Sequence, residues 1–203
     1  MRLGVILGSV RHASNTAGIA SFVESIIHQS FPSITLEVIH LAQSPNHPLP
    51  FVVEDIIPAA HDLSSLPDTY VDPSVRAWSA TVLSWDAVLV ITPQYNWGIP
   101  APLKNSFDHL FKEWVGKPAG IITLGGHGGS KCAEQLKVVM GGGMDMRLAT
   151  AMVGIQLSKE VIRTAKRWDG HEEQLKQYEE EVRVLLEELV QMVETPQVVK
   201  EEA

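Results

Sequence analysis

Short runs of Val, Ile and Leu alternate along the chain with longer amphipathic stretches. Runs that are apolar at nearly every position are typical of strands covered on both faces, as in parallel sheets between helices. The alternation therefore predicts an α/β fold with a mostly parallel sheet. We assign five strands to residues 2–8, 35–39, 86–92, 120–124 and 149–155.

The stretches between these runs predict the helices. Apolar residues between 19 and 27 recur at helical spacing, and Ser14 or Asn15 stands where an N-cap is favoured. A helix over 74–84 is expected before the third strand, and a last amphipathic helix near the end of the chain. Residues 42–73 are rich in proline and predict a long surface loop with little regular structure.

Composition narrows the class of protein. At 203 residues and 45% hydrophobic content, we expect one domain over residues 1–195 and a short polar tail over 196–203. The net charge of −8 argues against nucleic-acid and membrane partners. Cys132 is the only cysteine, which excludes an intrachain disulfide or a cysteine metal site and suggests a cytoplasmic location.

The turn after the first strand is crowded with hydrogen-bond donors. A helix N-terminus has unpaired N–H groups and a partial positive charge, so a phosphate placed there is stabilised. The turn lacks the P-loop and three-glycine fingerprints, which favours a monophosphate. The alternative is that Ser14 and Asn15 only cap the helix while Arg11 lies in solvent. The candidate ligands of the phosphate are Ser9, Arg11, Ser14, Asn15 and Thr16.

The turn after the third strand offers flat aromatic surfaces. Tyr95 and Trp97 flank Asn96, whose amide both donates and accepts. Because ligands of doubly wound sheets bind beyond the carboxyl ends of the strands, this turn should face the same crevice as the first. A planar heterocycle would suit it, although the aromatic rings could instead fill the core. The candidate residues are Pro93, Gln94, Tyr95, Asn96 and Trp97.

The turn after the fourth strand, residues 125–130, reads GGHGGS. Glycines let a backbone approach a ligand closely, so Gly125 and Gly126 could lend N–H groups to a ring. His127 joins them as a candidate, with a solvent-facing loop residue as the alternative. No Ser/His/Asp or metal-ligand constellation accompanies these turns, so we assign no catalytic side chain and no metal.

Together these turns resemble the NADPH-dependent FMN reductase family, a flavodoxin-like group that includes quinone, azo-dye and chromate reductases. Residues 93–108 match P-x-Y-N-x-x-x-P-x-x-L-K-N-x-x-D at every defined position, and residues 8–14 match G-S-x-R-x-x-S. The resemblance implies a three-layer sandwich with strand order 2-1-3-4-5, non-covalent FMN and a homodimer or homotetramer. It assigns the first turn to the FMN phosphate and the third to the ribityl chain and isoalloxazine ring.

The resemblance also implies an activity. In it, a hydride passes from NADPH or NADH through bound FMN to a small acceptor such as a quinone, azo compound, free flavin or metal oxyanion. One alternative is a flavodoxin-type electron carrier, which binds FMN but docks on a protein partner. Another is a redox-sensing flavoprotein. Turnover with NADPH alone would separate the reductase from the carrier.

Overall fold

The predicted parallel sheet is confirmed by a computed structural model, which describes residues 1–51 and 54–195. Its strands pair in parallel in the order β2-β1-β3-β4-β5, and β6 also pairs with β4. The predicted tail, residues 196–203, lies outside the described residues, so the domain boundary stays a prediction. The strands are β1 (Arg2–Leu7), β2 (Thr35–His40), β3 (Ala87–Pro93), β4 (Pro118–Gly125), β5 (Arg147–Leu148) and β6 (Val153–Gln156).

Helices cover both faces of the sheet. Side chains of β1 alternate between the two cores, with Val5 and Leu7 facing α1 and α6 and Ile6 facing α2, α3 and α4. None of the helices described is long and apolar enough to span a membrane. The helices are α1 (Asn15–Ser30), α2 (Pro73–Leu83), α3 (Ala101–Asp108), α4 (Ser130–Leu136), α5 (Lys159–Arg163) and α6 (Glu179–Glu194).

The predicted fifth strand, 149–155, is wrong as a continuous strand. Only its residues 153–155 are strand, within β6, whereas β5 ends just before the predicted range and a segment between β5 and β6 leaves the sheet. Within this segment the backbone N–H groups of Thr150 and Ala151 donate to the Glu188 carboxylate of α6, at 2.6 and 3.1 Å. A side chain on a distant helix thus replaces the strand partner that these donors would otherwise need.

The loop over residues 42–73 has little regular structure where it is described, as predicted. Its described part contains two short 3₁₀ turns, Pro58–Ala60 and Leu63–Ser65. Polar contacts hold the loop against the helical layer: the carbonyl oxygen of Pro50 accepts from Asn105 Nδ2 at 3.1 Å. Because these contacts join residues far apart in sequence, the loop is fixed by tertiary structure and not by local propensity.

Candidate functional site

A cleft of about 460 Å³ lies at the carboxyl edge of the sheet, beside the ends of β1, β3 and β4. The three predicted turns meet there. Thr16, Trp97 and His127 are outside its lining, whereas a segment after β6 that the sequence did not indicate contributes to it. The lining residues are Ser9, Arg11, Ala13, Ser14, Asn15, Pro93, Gln94, Tyr95, Asn96, Leu124, Gly125, Gly126, Leu157, Val161, Ile162 and Arg167.

The first turn ends in a capped helix. Ser14 is the N-cap of α1, with extended backbone angles, and its Oγ accepts from the backbone N of Thr16 at 3.2 Å. The Thr16 hydroxyl lies 2.8 Å from the same Oγ and is buried, so Thr16 orients Ser14 and does not reach the cleft. The side chain of Asn15 accepts from the backbone N of Trp168 at 2.9 Å. The N-terminus of a 16-residue helix therefore borders the cleft.

The Tyr95 hydroxyl joins the first turn to the third. It lies 3.0 Å from Ser9 Oγ and accepts from Arg11 Nε at 3.2 Å. The guanidinium carbon of Arg11 is 5.3 Å from the centre of the Tyr95 ring, within the range of a cation–π contact. Arg11 is thus exposed to solvent but held over the cleft by an aromatic partner.

The third turn is a tight hairpin. Tyr95 and Gly98 exchange both backbone hydrogen bonds, at 3.1 and 2.8 Å. Asn96 and Trp97 between them have φ values of 47° and 68°, in the left-handed region. Asn tolerates this region, whereas Trp is strained there, by about 1–2 kcal/mol. Trp97 is 71% exposed, so its ring does not fill the core, and strain of this kind concentrates at functional sites.

Gln94 uses its side chain to support the neighbouring helix. Its Oε1 accepts from the backbone N of Lys131 at 3.0 Å and of Cys132 at 3.2 Å, in the first turn of α4. Cys132 is fully buried, and burial raises the pKa of its thiol to about 11. The thiol therefore has no role in the cleft, and Gln94 fixes α4 relative to the third turn.

The fourth turn depends on glycine. Gly128 and Gly129 have φ values of 67° and 76°, and a Cβ on Gly129 would lie 2.8 Å from the Cβ of Thr123. The turn therefore folds back on β4 and presents Gly125 and Gly126 to the cleft. His127 is exposed and lies outside the lining, as its solvent-facing alternative predicts.

The remaining wall is the closing segment, which we define as residues 157–168. It contributes Leu157, Val161, Ile162 and Arg167. One sequence signal could have found it: Gly18 lies inside α1, where a Cβ would be 2.1 Å from the carbonyl oxygen of Trp168. A glycine in a helix interior costs about 1 kcal/mol, so its presence indicates a close backbone neighbour.

The charge of the cleft is one-sided. Of the described residues, no Asp or Glu lines it, and neither Arg11 nor Arg167 forms an ion pair. Near these cations lie hydroxyl donors and a helix N-terminus, whereas Leu157, Val161 and Ile162 make an apolar wall. The volume lies within the roughly 300–1,000 Å³ usual for cofactor sites. The donor set therefore fits an FMN molecule, with an anionic phosphate and a flat apolar ring.

Fold and cleft define a class of protein: a flavodoxin-like α/β protein with a turn rich in hydrogen-bond donors at the β1/β3 switch point. The sequence profile of the NADPH-dependent FMN reductase family matches residues 1–158. The chain belongs to this family, which confirms the predicted resemblance.

Relatives and solved structures agree with this assignment. The chain is 43% identical over 148 residues to an NAD(P)H-dependent FMN reductase of Saccharomyces cerevisiae, covering 70% of this chain and 74% of that protein. It is 30% identical over 143 residues to an NADPH:quinone oxidoreductase of Arabidopsis thaliana, covering 68% and 66%. The flavoenzyme NAD(P)H:(acceptor) oxidoreductase FerB of Paracoccus denitrificans shares the fold, with a TM-score of 0.66, 19% identity and 97% and 99% coverage.

Proposed function

We propose that the cleft is where this member of the FMN reductase family holds FMN and reduces a small acceptor with NAD(P)H. One observation carries the proposal. Two arginines without carboxylate partners among the described residues line a cleft that also has an apolar wall, formed by residues of the closing segment. Arg167 is half-buried, and a half-buried cation without a counter-ion is costly, so an anionic ligand stabilises this arrangement.

The first turn would hold the phosphate. Ser9, Ser14 and Asn15 offer side-chain donors, Arg11 offers a charge, and the N-terminus of α1 adds backbone N–H groups. Three charge-assisted bonds of about 1.5–3 kcal/mol each give a gross ~4.5–9 kcal/mol, the upper end of which is comparable to micromolar affinity before ordering costs. Thr16 would act indirectly, by orienting the Ser14 hydroxyl.

The third and fourth turns would hold the ring. Pro93, Tyr95 and Asn96 line one side of the cleft, and the backbone of Gly125 and Gly126 lines the other. When bound, FMN supplies the redox chemistry by accepting a hydride from NAD(P)H and returning two electrons to the acceptor. The protein orients the ring and excludes water with its apolar wall, and it needs no acid–base side chain for this.

The acceptor we propose is a small planar molecule such as a quinone. The apolar wall of the closing segment supports this choice, since Ile162 is 50% exposed and lines the cleft. An exposed apolar side chain at a site favours flat, weakly polar ligands. The relative from Arabidopsis thaliana is named an NADPH:quinone oxidoreductase.

We also propose that two or more copies of the chain assemble over the face that carries Trp97. Trp97 and Val138 are each 71% exposed, and Ile57 is 67% exposed. A shallow groove of about 490 Å³ beside them is lined by Ile99, Val138 and Val139, among others. Exposed apolar clusters of this kind mark protein interfaces. Sedimentation of the protein with and without Val138→Glu tests this, because a charge on this face should lower the assembled fraction. We also propose that the protein acts in the cytoplasm.

The visible spectrum under anaerobic conditions tests the function. We expect a flavin band that bleaches on addition of NADPH and returns with a quinone, and release of FMN on denaturation. A bound flavin that stays oxidised with both NADPH and NADH would favour the electron carrier. Failure to bind FMN after reconstitution would contradict the assignment of the cleft itself.

A further inference from the structure

Arg167 lies at the end of the closing segment and is tied to the first turn. Its Nε donates to the carbonyl oxygen of Ala13 at 3.1 Å. Ala13 precedes Ser14, the N-cap of α1, and both line the cleft. The guanidinium therefore lies beside the turn that would hold a phosphate, although Arg167 and Ala13 are 154 positions apart in sequence.

The orientation of Arg167 is fixed by its own segment. Nη1 donates to the carbonyl oxygens of Lys166 at 2.6 Å, Thr164 at 2.8 Å and Val161 at 3.3 Å. These partners turn the closing segment around the guanidinium, so little side-chain freedom remains to be lost on binding. Such an arginine is preorganised for a ligand.

The remaining nitrogen of this guanidinium is uncommitted. Among residues 1–51 and 54–195, Arg167 Nη2 has no hydrogen-bond acceptor, and Arg167 has no carboxylate partner. The neutral carbonyl groups on Nε and Nη1 satisfy donors but do not neutralise the charge. Arg167 thus lines the cleft with a full positive charge and free N–H groups.

We propose that Arg167 binds a phosphate monoester in the cleft through Nη2, as a second guanidinium in addition to that of Arg11. This inference rests on the proposed function and assigns to it a residue beyond the part of the chain, 1–158, that the family profile matches. The phosphate of FMN and the 2′-phosphate of NADPH share this chemistry. The bond from Arg167 to Ala13 favours FMN, because it places the guanidinium at the end of the cleft that holds the phosphate-binding turn.

Paired titrations of the flavin-free protein test the proposal. We compare Arg167→Gln with Arg163→Gln, an exposed arginine of the same segment that does not line the cleft and has the same change in charge. Fluorescence titration with FMN and with riboflavin, which lacks the phosphate, gives the two dissociation constants. Thermal unfolding of each variant checks that it is folded.

We expect Arg167→Gln to weaken FMN binding roughly tenfold or more, as loss of a charge-assisted bond requires, and to change riboflavin binding less than about twofold. Arg163→Gln should change neither. If FMN affinity is unchanged and the KM rises tenfold for NADPH but not for NADH, the phosphate that Arg167 binds is the 2′-phosphate of NADPH. Equal weakening of FMN and riboflavin, or no change with any ligand, would overturn the proposal. Absence of FMN binding by the unaltered protein would instead refute the proposed function.

Discussion

Two charged regions of the molecule differ in how their partners are supplied. Glu113, between α3 and β4, is 3% exposed. Its Oε1 accepts hydrogen bonds from the hydroxyls of Tyr70 at 2.9 Å and Ser79 at 2.5 Å. The backbone N of Phe111 donates at 3.2 Å to its other oxygen. In the cleft, by contrast, the guanidinium of Arg11 has one acceptor among the described residues, the neutral Tyr95 hydroxyl. The chain itself supplies the hydrogen-bond donors that Glu113 needs, whereas the arginines of the cleft keep N–H groups free for a ligand.

The protonation of Tyr70 fits this contrast. Burial, and then the nearby charge of Glu113, raises the pKa of the Tyr70 hydroxyl far above its ordinary value. Tyr70 therefore remains a hydrogen-bond donor to Glu113 over the whole physiological range. A polar network that is fully satisfied in this way stabilises a unique packing, but its members have no capacity left for chemistry.

Removing the carboxyl group should have the largest effect. Glu113→Leu leaves the donors of Tyr70, Ser79 and Phe111 without an acceptor, at about 1–3 kcal/mol for each buried group. We expect the free energy of unfolding to fall by about 3 kcal/mol or more in urea denaturation. Glu113→Gln, which keeps one acceptor oxygen, should lose less. A loss below about 1 kcal/mol for Glu113→Leu would show that the network is not structural.

Removing the charge of Arg11 should change the affinity for FMN and not the stability of the fold. Arg11→Gln should raise the Kd for FMN about 10- to 100-fold, since a charge-assisted bond contributes about 1.5–3 kcal/mol. The free energy of unfolding should change by less than about 0.5 kcal/mol, because Arg11 is exposed. Fluorescence titration and urea denaturation of the same preparation measure both. A stability loss as large as that of Glu113→Leu would remove the distinction between the two regions.

The sequence predicts the parts of this molecule that local patterns encode. Continuous apolar runs located β1 to β4. The composition of the first, third and fourth turns located three walls of the cleft. Parallel strands bring their carboxyl ends to one edge, so those three turns meet by topology alone. The strand order came from the family resemblance, because hydrophobic periodicity does not distinguish one strand neighbour from another.

What the sequence does not predict depends on contacts between distant residues. The break between β5 and β6 is stabilised by Glu188, 38 positions beyond Thr150. The remaining wall of the cleft, the closing segment, depends on Arg167 and its bond to Ala13. Thr16 carries a hydroxyl that could bind a phosphate, yet the first turn of α1 directs this hydroxyl to Ser14. Such side-chain directions follow from tertiary packing, which produces no periodic pattern of residues in the sequence.

Trp97 offers a finer test, because strain and function predict opposite signs. Trp97→Gly removes a left-handed non-glycine residue and loses little burial, so we expect stability to rise by about 0.5–1 kcal/mol after the entropy of the unfolded glycine is counted. Turnover with a quinone should fall, because Trp97 adjoins Asn96 of the cleft and its ring lies on the proposed interface between copies of the chain. Asn96→Gly is the matched control, because Asn tolerates this conformation, and it should gain less. A variant that is neither more stable nor less active would show that Trp97 carries no functional strain.

Glu188 is a third charged position, intermediate between the two regions, and it should show the smallest effect. Partial burial alone would raise the pKa of its carboxyl group, but hydrogen bonds from Thr150 and Ala151 outweigh this and lower it below the ordinary value of 4.5. A lowered pKa in the folded state means that the carboxylate stabilises the fold above pH 4.5 and that this contribution is lost as the pH falls through the lowered value.

Glu188→Gln should therefore cost about 0.5 kcal/mol at pH 7, a value kept small by solvent screening, and the difference from the unaltered protein should shrink at acidic pH. Urea denaturation at pH values on both sides of 4.5 measures this, with Glu187→Gln on the exposed side of α6 as the control. A difference that is the same at every pH would mean that ionisation of Glu188 does not contribute to stability. The segment between β5 and β6 would then be held by the hydrogen bonds of residue 188 and not by its charge, unlike the buried carboxyl group of Glu113.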